Sequence, residues 1–353
     1  MSGSLLYPVA ILVNTRPGYS DYNLGQQLKK YLESRGAEVK VIDKKQSNLF
    51  GQVVGHHLIS FYTDMVWPYY KYARHVRPKT ILHIQCIGPK VYPYHEYVCY
   101  LSTLVKPKMS GIPVYHFNVS PSTEKEFHEI SRKFFSPSVC REIAKQSSTN
   151  YYGLEDGFKI HEDANPDSLV VPYNRWEPGQ KNLPLHMQLS LVYRTYCEKH
   201  GRPFEQVFYI NEDDRKRKEK EIPDHAGQVY DFRDQFYDRQ AFYENIGRHG
   251  IFLSTSVRES FGLYYLELLL AGVVGVFQRY PWIEGLLPEY PYMGSENELV
   301  PMLAWVRDNY AEARARVINE IAPIIRERYS QQTYLSRIYD KLLELETIEQ
   351  GKL

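Results

Sequence analysis

The chain has 353 residues, more than one comfortable hydrophobic core holds, and this points to two domains. Its 43 basic and 42 acidic side chains leave a net charge of +1, so no electrostatic footprint marks a nucleic acid partner. Four scattered cysteines, Cys86, Cys99, Cys140 and Cys197, form no C-x-x-C pair, which argues against a disulfide framework or a zinc site.

Met1 to Val13 lacks the basic region of a signal peptide, and no apolar run reaches the length that spans a bilayer. A soluble cytoplasmic protein is expected, with peripheral membrane contact left open. Val9 to Val13 reads as a buried strand, followed by a turn at Asn14 to Gly18, a helix from Asn23 to Arg35 that stops at Gly36, and a second strand from Glu38 to Ile42. That unit predicts a parallel sheet. Further strands are expected at Leu58–Phe61, Thr80–Ile84 and Pro113–Phe117, a weaker one at Lys133–Ser136, and helices at Tyr97–Lys106 and Ser138–Lys145. Tyr151 to Asp167 carries Gly153, Gly157 and Asn165-Pro166 without periodicity and reads as a connecting stretch. A second series begins at Ser168–Val171 and continues with a helix at Pro184–Lys199, strands at Gln206–Ile210, Ile251–Ser254 and Val273–Phe277, and helices from Glu298 to Leu345. The predicted class is α/β, with Rossmann-like domains over 1–160 and 168–325, a last helical region over 326–353, and a ligand crevice outside the strand carboxyl ends.

The chemistry concentrates in Arg258-Glu259-Ser260-Phe261-Gly262-Leu263-Tyr264-Tyr265-Leu266-Glu267. Glu267 interrupts an otherwise apolar helical run, where a carboxylate is costly unless something polar meets it. On one continuous helix, two positions eight apart would lie about 12 Å along the axis and about 80° around it, too far to share one ion. With Glu259 in the loop before the helix and Ser260 near the N-cap, the two carboxylates can instead touch opposite ends of one extended ligand, and the first-turn N–H groups can meet an anion between them. A nucleotide-sugar has that form. A plain amphipathic helix with water-facing glutamates explains neither Gly262 at the helix entry nor a Glu within a Leu-rich face.

The stretch resembles the E-x7-E signature of the large retaining glycosyltransferase family that includes sucrose synthases and mannosyltransferases. Glu259, Phe261, Gly262 and Glu267 match it, and Ala271-Gly272-Val273-Val274 matches the family's small-residue helix end and apolar strand. The resemblance implies the glycosyltransferase-B (GT-B) fold, two Rossmann-like domains with a donor crevice between them and a last helix that crosses back to the first. It also assigns roles. Arg175 and Lys181, in Asn174-Arg175-Trp176-Glu177-Pro178-Gly179-Gln180-Lys181, would hold the diphosphate, although the family usually has one residue fewer between them. Glu259 would meet the donor sugar, Glu267 the ribose, and Ser260, Phe261, Gly262 and Leu263 the phosphates and sugar. His116, at a strand end with His83 as its rival, would stand near the reacting carbon, and Gly18 would let backbone approach the phosphates.

The expected activity is therefore a retaining, metal-independent transfer of a sugar from a nucleotide diphosphate-sugar to a hydroxyl acceptor on a glycan, lipid or protein-linked chain. No cofactor beyond the donor is expected, and no D-x-D metal motif accompanies the site. A nucleotide-sugar epimerase, a DNA-modifying glucosyltransferase and a silent sugar-nucleotide-binding scaffold are the alternatives. Glu212 to Glu221, with five acids and five bases, reads as a solvated loop. The 31 tyrosines have no explanation at this level.

Overall fold

The computed structural model describes residues 4–14, 20–46, 48–63, 66, 77–85, 94–105, 112–236 and 238–351. The chain divides into two compact units, Met1–Gly153 with Gln331–Leu353, and Leu154–Ser330.

In the first unit, β1 (Val9–Val13), β2 (Val39–Asp43), β3 (His57–Ser60), β4 (Thr80–Gln85), β5 (Val114–Asn118) and β6 (Ser147–Thr149) form one sheet in the order β2-β1-β3-β4-β5-β6. Every neighbouring pair is parallel. Strands β1, β4 and β5 are buried at every residue, and this two-faced burial is why they read as unbroken apolar runs. The principal helices here are α1 (Ser20–Ser34), α2 (Tyr94–Val105), α3 (Pro121–Phe134) and α4 (Pro137–Lys145). Lys133–Phe134, expected as strand, instead closes α3. That helix opens on a Ser120–Thr123 capping box with Pro121 in its first turn, and buries Phe127 and Ile130 three positions apart.

The second unit repeats the architecture with β7 (Asn165–Val170), β8 (Glu205–Ile210), β9 (Asp231–Asp234), β10 (His249–Ser254), β11 (Val274–Gln278) and β12 (Met293–Gly294), in the order β12-β11-β10-β7-β8-β9. Its principal helices are α5 (Leu183–Lys199), α6 (Arg239–Asn245), α7 (Leu263–Leu270), α8 (Pro281–Leu286) and α9 (Glu296–Asp308). Strand β7 starts inside the expected connecting stretch. The register of β7 and β10 shifts between His249 and Ile251, where Gly250 lets Pro166 approach: a Cβ on Gly250 would stand 2.6 Å from the Pro166 Cα. Residues Glu212–Arg217, expected as loop, form a short helix capped by the Asn211 side chain. Among the described residues, no helix is long and apolar enough to cross a membrane.

After Ser330 the chain returns to the first unit as α10 (Gln331–Glu349). Its Glu346 is buried and accepts hydrogen bonds from the backbone N–H groups of Leu6 (2.8 Å) and Tyr7 (3.2 Å). The His57 Nε2 lies 3.2 Å from the same carboxylate oxygen, while His57 Nδ1 pairs with the Thr80 hydroxyl at 2.7 Å. Replacing Glu346 by Ala strands the buried His57 ring nitrogen and removes the acceptor of the two partly buried N–H groups, and is expected to cost about 1–3 kcal/mol. Urea unfolding of Glu346→Ala checks this, and a change smaller than about 0.5 kcal/mol, the scale of ordinary surface substitutions, would show that the clasp contributes nothing.

Candidate functional site

The second sheet reverses its winding between β7 and β10. From β7 the chain proceeds to β8 and β9 on one side, and later to β10, β11 and β12 on the other. The connections leaving the carboxyl ends of these two strands diverge, and an open α/β sheet receives its ligand at such a point. Both motifs lie there, 171–182 after β7 and 255–262 after β10. The two segments are tied together: Val257 N–H donates to the Gln180 carbonyl (3.1 Å), and the Thr255 hydroxyl donates to that of Lys181 (2.9 Å).

Arg175 is partly buried, and the backbone on either side of it is pinned. The Asn174 carbonyl accepts from the Asn211 N–H (3.1 Å), and the Trp176 N–H donates to Asp214 (3.0 Å). Lys181 ends a single helical turn, Pro178–Lys181. Its ammonium forms an ion pair with Glu259, and the two side chains are only 11% and 10% exposed. The same ammonium lies 5.6 Å from the Tyr173 ring centroid and 5.8 Å from that of Tyr265, so aromatic faces flank the cation. Glu259 thus sits in the loop, four residues before α7.

The N-cap of α7 is Gly262, not Ser260. Its φ of +76° is left-handed, and an added Cβ would stand 2.9 Å from the Trp282 ring, so conformation and space both require glycine. Leu263 follows as the first helical residue; the Tyr265 and Leu266 N–H groups already donate to the Gly262 carbonyl (3.1 and 3.3 Å), which leaves those of Leu263 and Tyr264 outside the helical ladder. Phe261 is buried edge-to-face on Tyr329, with ring centroids 5.2 Å apart.

Glu267 is buried, as its apolar surroundings in the sequence imply, and the polar group that meets it is Arg239, the first residue of α6. Arg239 also donates to the Tyr243 hydroxyl (2.7 Å) and lies 3.4 Å from Glu155. Burial pushes the Glu267 carboxyl upward, against the downward pull of Arg239. Sequence reasoning missed Arg239, although a signal existed. A cation in the first turn of a helix opposes the helix dipole and calls for an acidic partner.

The first unit treats its predicted residues differently. His116 is fully buried, with its Nδ1 bonded to the Tyr100 hydroxyl, its Nε2 3.1 Å from Asn118 Oδ1, and its ring stacked on Phe127 at 4.5 Å. Burial holds its pKa well below 6.5. This corrects the expectation of a ring facing the crevice, because both ring nitrogens are engaged inside the core. His83 is likewise interior, bonded to the Ser60 carbonyl and the Thr63 hydroxyl. Gly18 lies outside the described residues. Among those described, no group of three or more His, Cys, Asp or Glu side chains could hold a metal ion.

Two units, each a six-stranded parallel sheet flanked by helices, can be compared with known proteins. Solved structures that match include a sucrose-phosphate synthase from Thermosynechococcus elongatus, with a TM-score of 0.70 at 13% identity over 96% of this chain and 99% of that one. A UDP-forming α,α-trehalose-phosphate synthase from Burkholderia xenovorans matches at 0.66 and 12% identity over 96% and 99%. A glycosyltransferase from Rickettsia africae matches at 0.66 and 11% over 96% and 98%. The chain has the glycosyltransferase-B fold. No protein-family model and no curated protein matches it.

Two measurements test this GT-B site as a physical object. Glu267→Ala removes the buried partner of Arg239, which is one-third exposed and keeps Glu155, and is expected to lower stability by about 1–3 kcal/mol in urea unfolding. A loss below about 0.5 kcal/mol, the scale of ordinary surface substitutions, would contradict the ion pair. His186, beneath the site, pairs its Nε2 with the Leu253 carbonyl of β10 (3.2 Å) and its Nδ1 with the Tyr230 hydroxyl (2.9 Å), and burial pushes its pKa down to about 4. A folded pKa below the unfolded one gives stability that is complete above about pH 6.5 and lost as pH falls toward 4, roughly 3 kcal/mol in all. Wild type should therefore lose melting temperature faster than His186→Gln over that window, and parallel pH profiles would refute this.

Proposed function

We propose that the chain is a glycosyltransferase that moves a sugar from a nucleotide diphosphate-sugar to a hydroxyl acceptor. The observation that carries this reading is the Lys181–Glu259 pair beside the glycine-capped start of α7 at the switch point of one parallel sheet, with a second cation–carboxylate pair, Arg239–Glu267, on the same helix. The matched GT-B enzymes, one of them UDP-forming, agree with it.

In this reading Arg175 and Lys181 take up the charge of the leaving diphosphate, with help from the first-turn N–H groups of Leu263 and its neighbours. Glu259 accepts hydrogen bonds from the donor sugar, and Glu267 from the ribose. The acceptor oxygen bonds to the anomeric carbon as the bond from that carbon to the phosphate oxygen breaks. The acceptor proton passes to the leaving phosphate, which retains configuration when attack comes from the face the phosphate leaves. His116 has no part in this scheme. An epimerase or a silent scaffold would share the donor site, and only the glycosyltransferase consumes the donor in proportion to a hydroxyl acceptor.

The test is calorimetry with UDP, GDP and ADP and with their glucose conjugates, on wild type, Glu259→Gln and Glu267→Gln. Glu267→Gln should weaken both a diphosphate and its conjugate by about 1–3 kcal/mol. Glu259→Gln should leave diphosphate affinity unchanged and weaken only the conjugate. Equal losses of diphosphate affinity in both variants would reverse the orientation of the donor, and no binding by any probe would end the reading.

A further inference from the structure

Glu259 stands on a loop, yet its carboxylate is held by a group from the rigid interior. The Tyr265 hydroxyl donates to Glu259 Oε1 at 3.1 Å. Tyr265 is 1% exposed and belongs to α7, the helix that Gly262 opens. The phenol is itself fixed. Its oxygen pairs with the Ser256 hydroxyl at 2.5 Å, and the Ser256 carbonyl accepts from the Trp282 indole N–H at 2.7 Å. The Tyr265 ring packs against Trp282 (centroids 5.2 Å apart) and Phe277 (5.8 Å). A group locked on every side in this way has one rotamer and transmits its position to whatever it holds. The same ring flanks the Lys181 ammonium, so one buried side chain touches both partners of the Lys181–Glu259 pair, its oxygen on the carboxylate and its face toward the cation.

We propose that Tyr265 is a positioning residue for sugar recognition: its hydroxyl fixes Glu259 for the donor sugar, while its ring separately shapes the Lys181 side of the diphosphate site. The proposal rests on the glycosyltransferase reading, since it takes Glu259 as the sugar-facing group. Sequence-level matching does not reach it, because position 265 falls between the matched residues of the E-x7-E pattern. The two functions of the side chain are separable by substitution. Tyr265→Phe keeps the ring and removes the hydroxyl, and Tyr265→Leu removes both.

The experiment measures affinity for UDP, GDP and ADP and for their glucose conjugates in wild type, Tyr265→Phe, Glu259→Gln and the double variant. With the diphosphate that binds wild type, Tyr265→Phe should leave affinity within about twofold while weakening the glucose conjugate about tenfold, the scale of one hydrogen bond to a charged group. Tyr265→Leu should weaken both. In the Glu259→Gln background the Tyr265→Phe change should add nothing, because the group it positions is already altered. A general packing role predicts equal losses in both backgrounds and for both ligand types, and that result overturns the proposal. If Tyr265→Phe does not fold, Ser256→Ala, which removes the other partner of the phenol, must reproduce the selective loss in weaker form, and wild-type behaviour in it counts against the assignment. Failure of Glu259→Gln itself to alter conjugate binding would remove the underlying reading, and no binding of any probe would remove both. An effect of Glu259→Gln without one of Tyr265→Phe removes the proposal alone.

Discussion

Strands β7 and β10 are adjacent in space, but their outgoing connections run to opposite sides of the sheet, and two chains that part in this way cannot cover the strand ends they leave. Everything at the candidate site depends on that gap. The 171–182 and 255–262 segments fill its rim, and charges placed there are screened from water by the segments themselves. Lys181 and Glu259, both nearly buried there, persist as a pair, and Glu267, buried on α7, has its own cation, Arg239, from a different element. Glycine at position 262 is then a geometric necessity, since Trp282 occupies the space a side chain would need.

The surplus of tyrosine becomes intelligible in the same setting. Tyr100, Tyr230, Tyr265, Tyr290 and Tyr329 are all buried, and each hydroxyl reaches a particular polar group: His116, His186, Glu259, the Gly275 backbone and the Leu286 carbonyl. Phenylalanine would fill the same volume but leave those groups short of a partner. These five tyrosines thus supply apolar bulk and carry hydrogen bonds into regions where backbone ladders do not extend.

Strands buried on both faces, such as β1, β4 and β10, were legible as apolar runs, and α1, α5 and α7 as periodic segments ending at glycine or a polar break. Of the four edge strands, β2 was legible as Glu38–Ile42 and the other three were not. β6 is three polar residues, β9 is Asp-Phe-Arg-Asp, and β12 is two residues long, so their pairing comes from the neighbour that recruits them and leaves no pattern of their own. At the site, the cost of burying Glu267 made a polar partner predictable, but its identity depended on a helix start 28 positions earlier in the chain. His116 failed for a related reason. A strand-end histidine facing a crevice and one bonded into a core have the same sequence, and Tyr100 and Asn118 decide between them.

The return of α10 to the first unit has a consequence for how the protein is made. Leu6, Tyr7 and His57 precede the second unit in the chain, yet the carboxylate that satisfies them is Glu346, which follows it and lies 340 positions after Leu6. The second unit, being continuous from Leu154 to Ser330, can finish folding while the first still lacks a helix. The unit whose synthesis begins first is therefore completed only after the second has been made, and until Glu346 is translated it carries polar groups without their native partner.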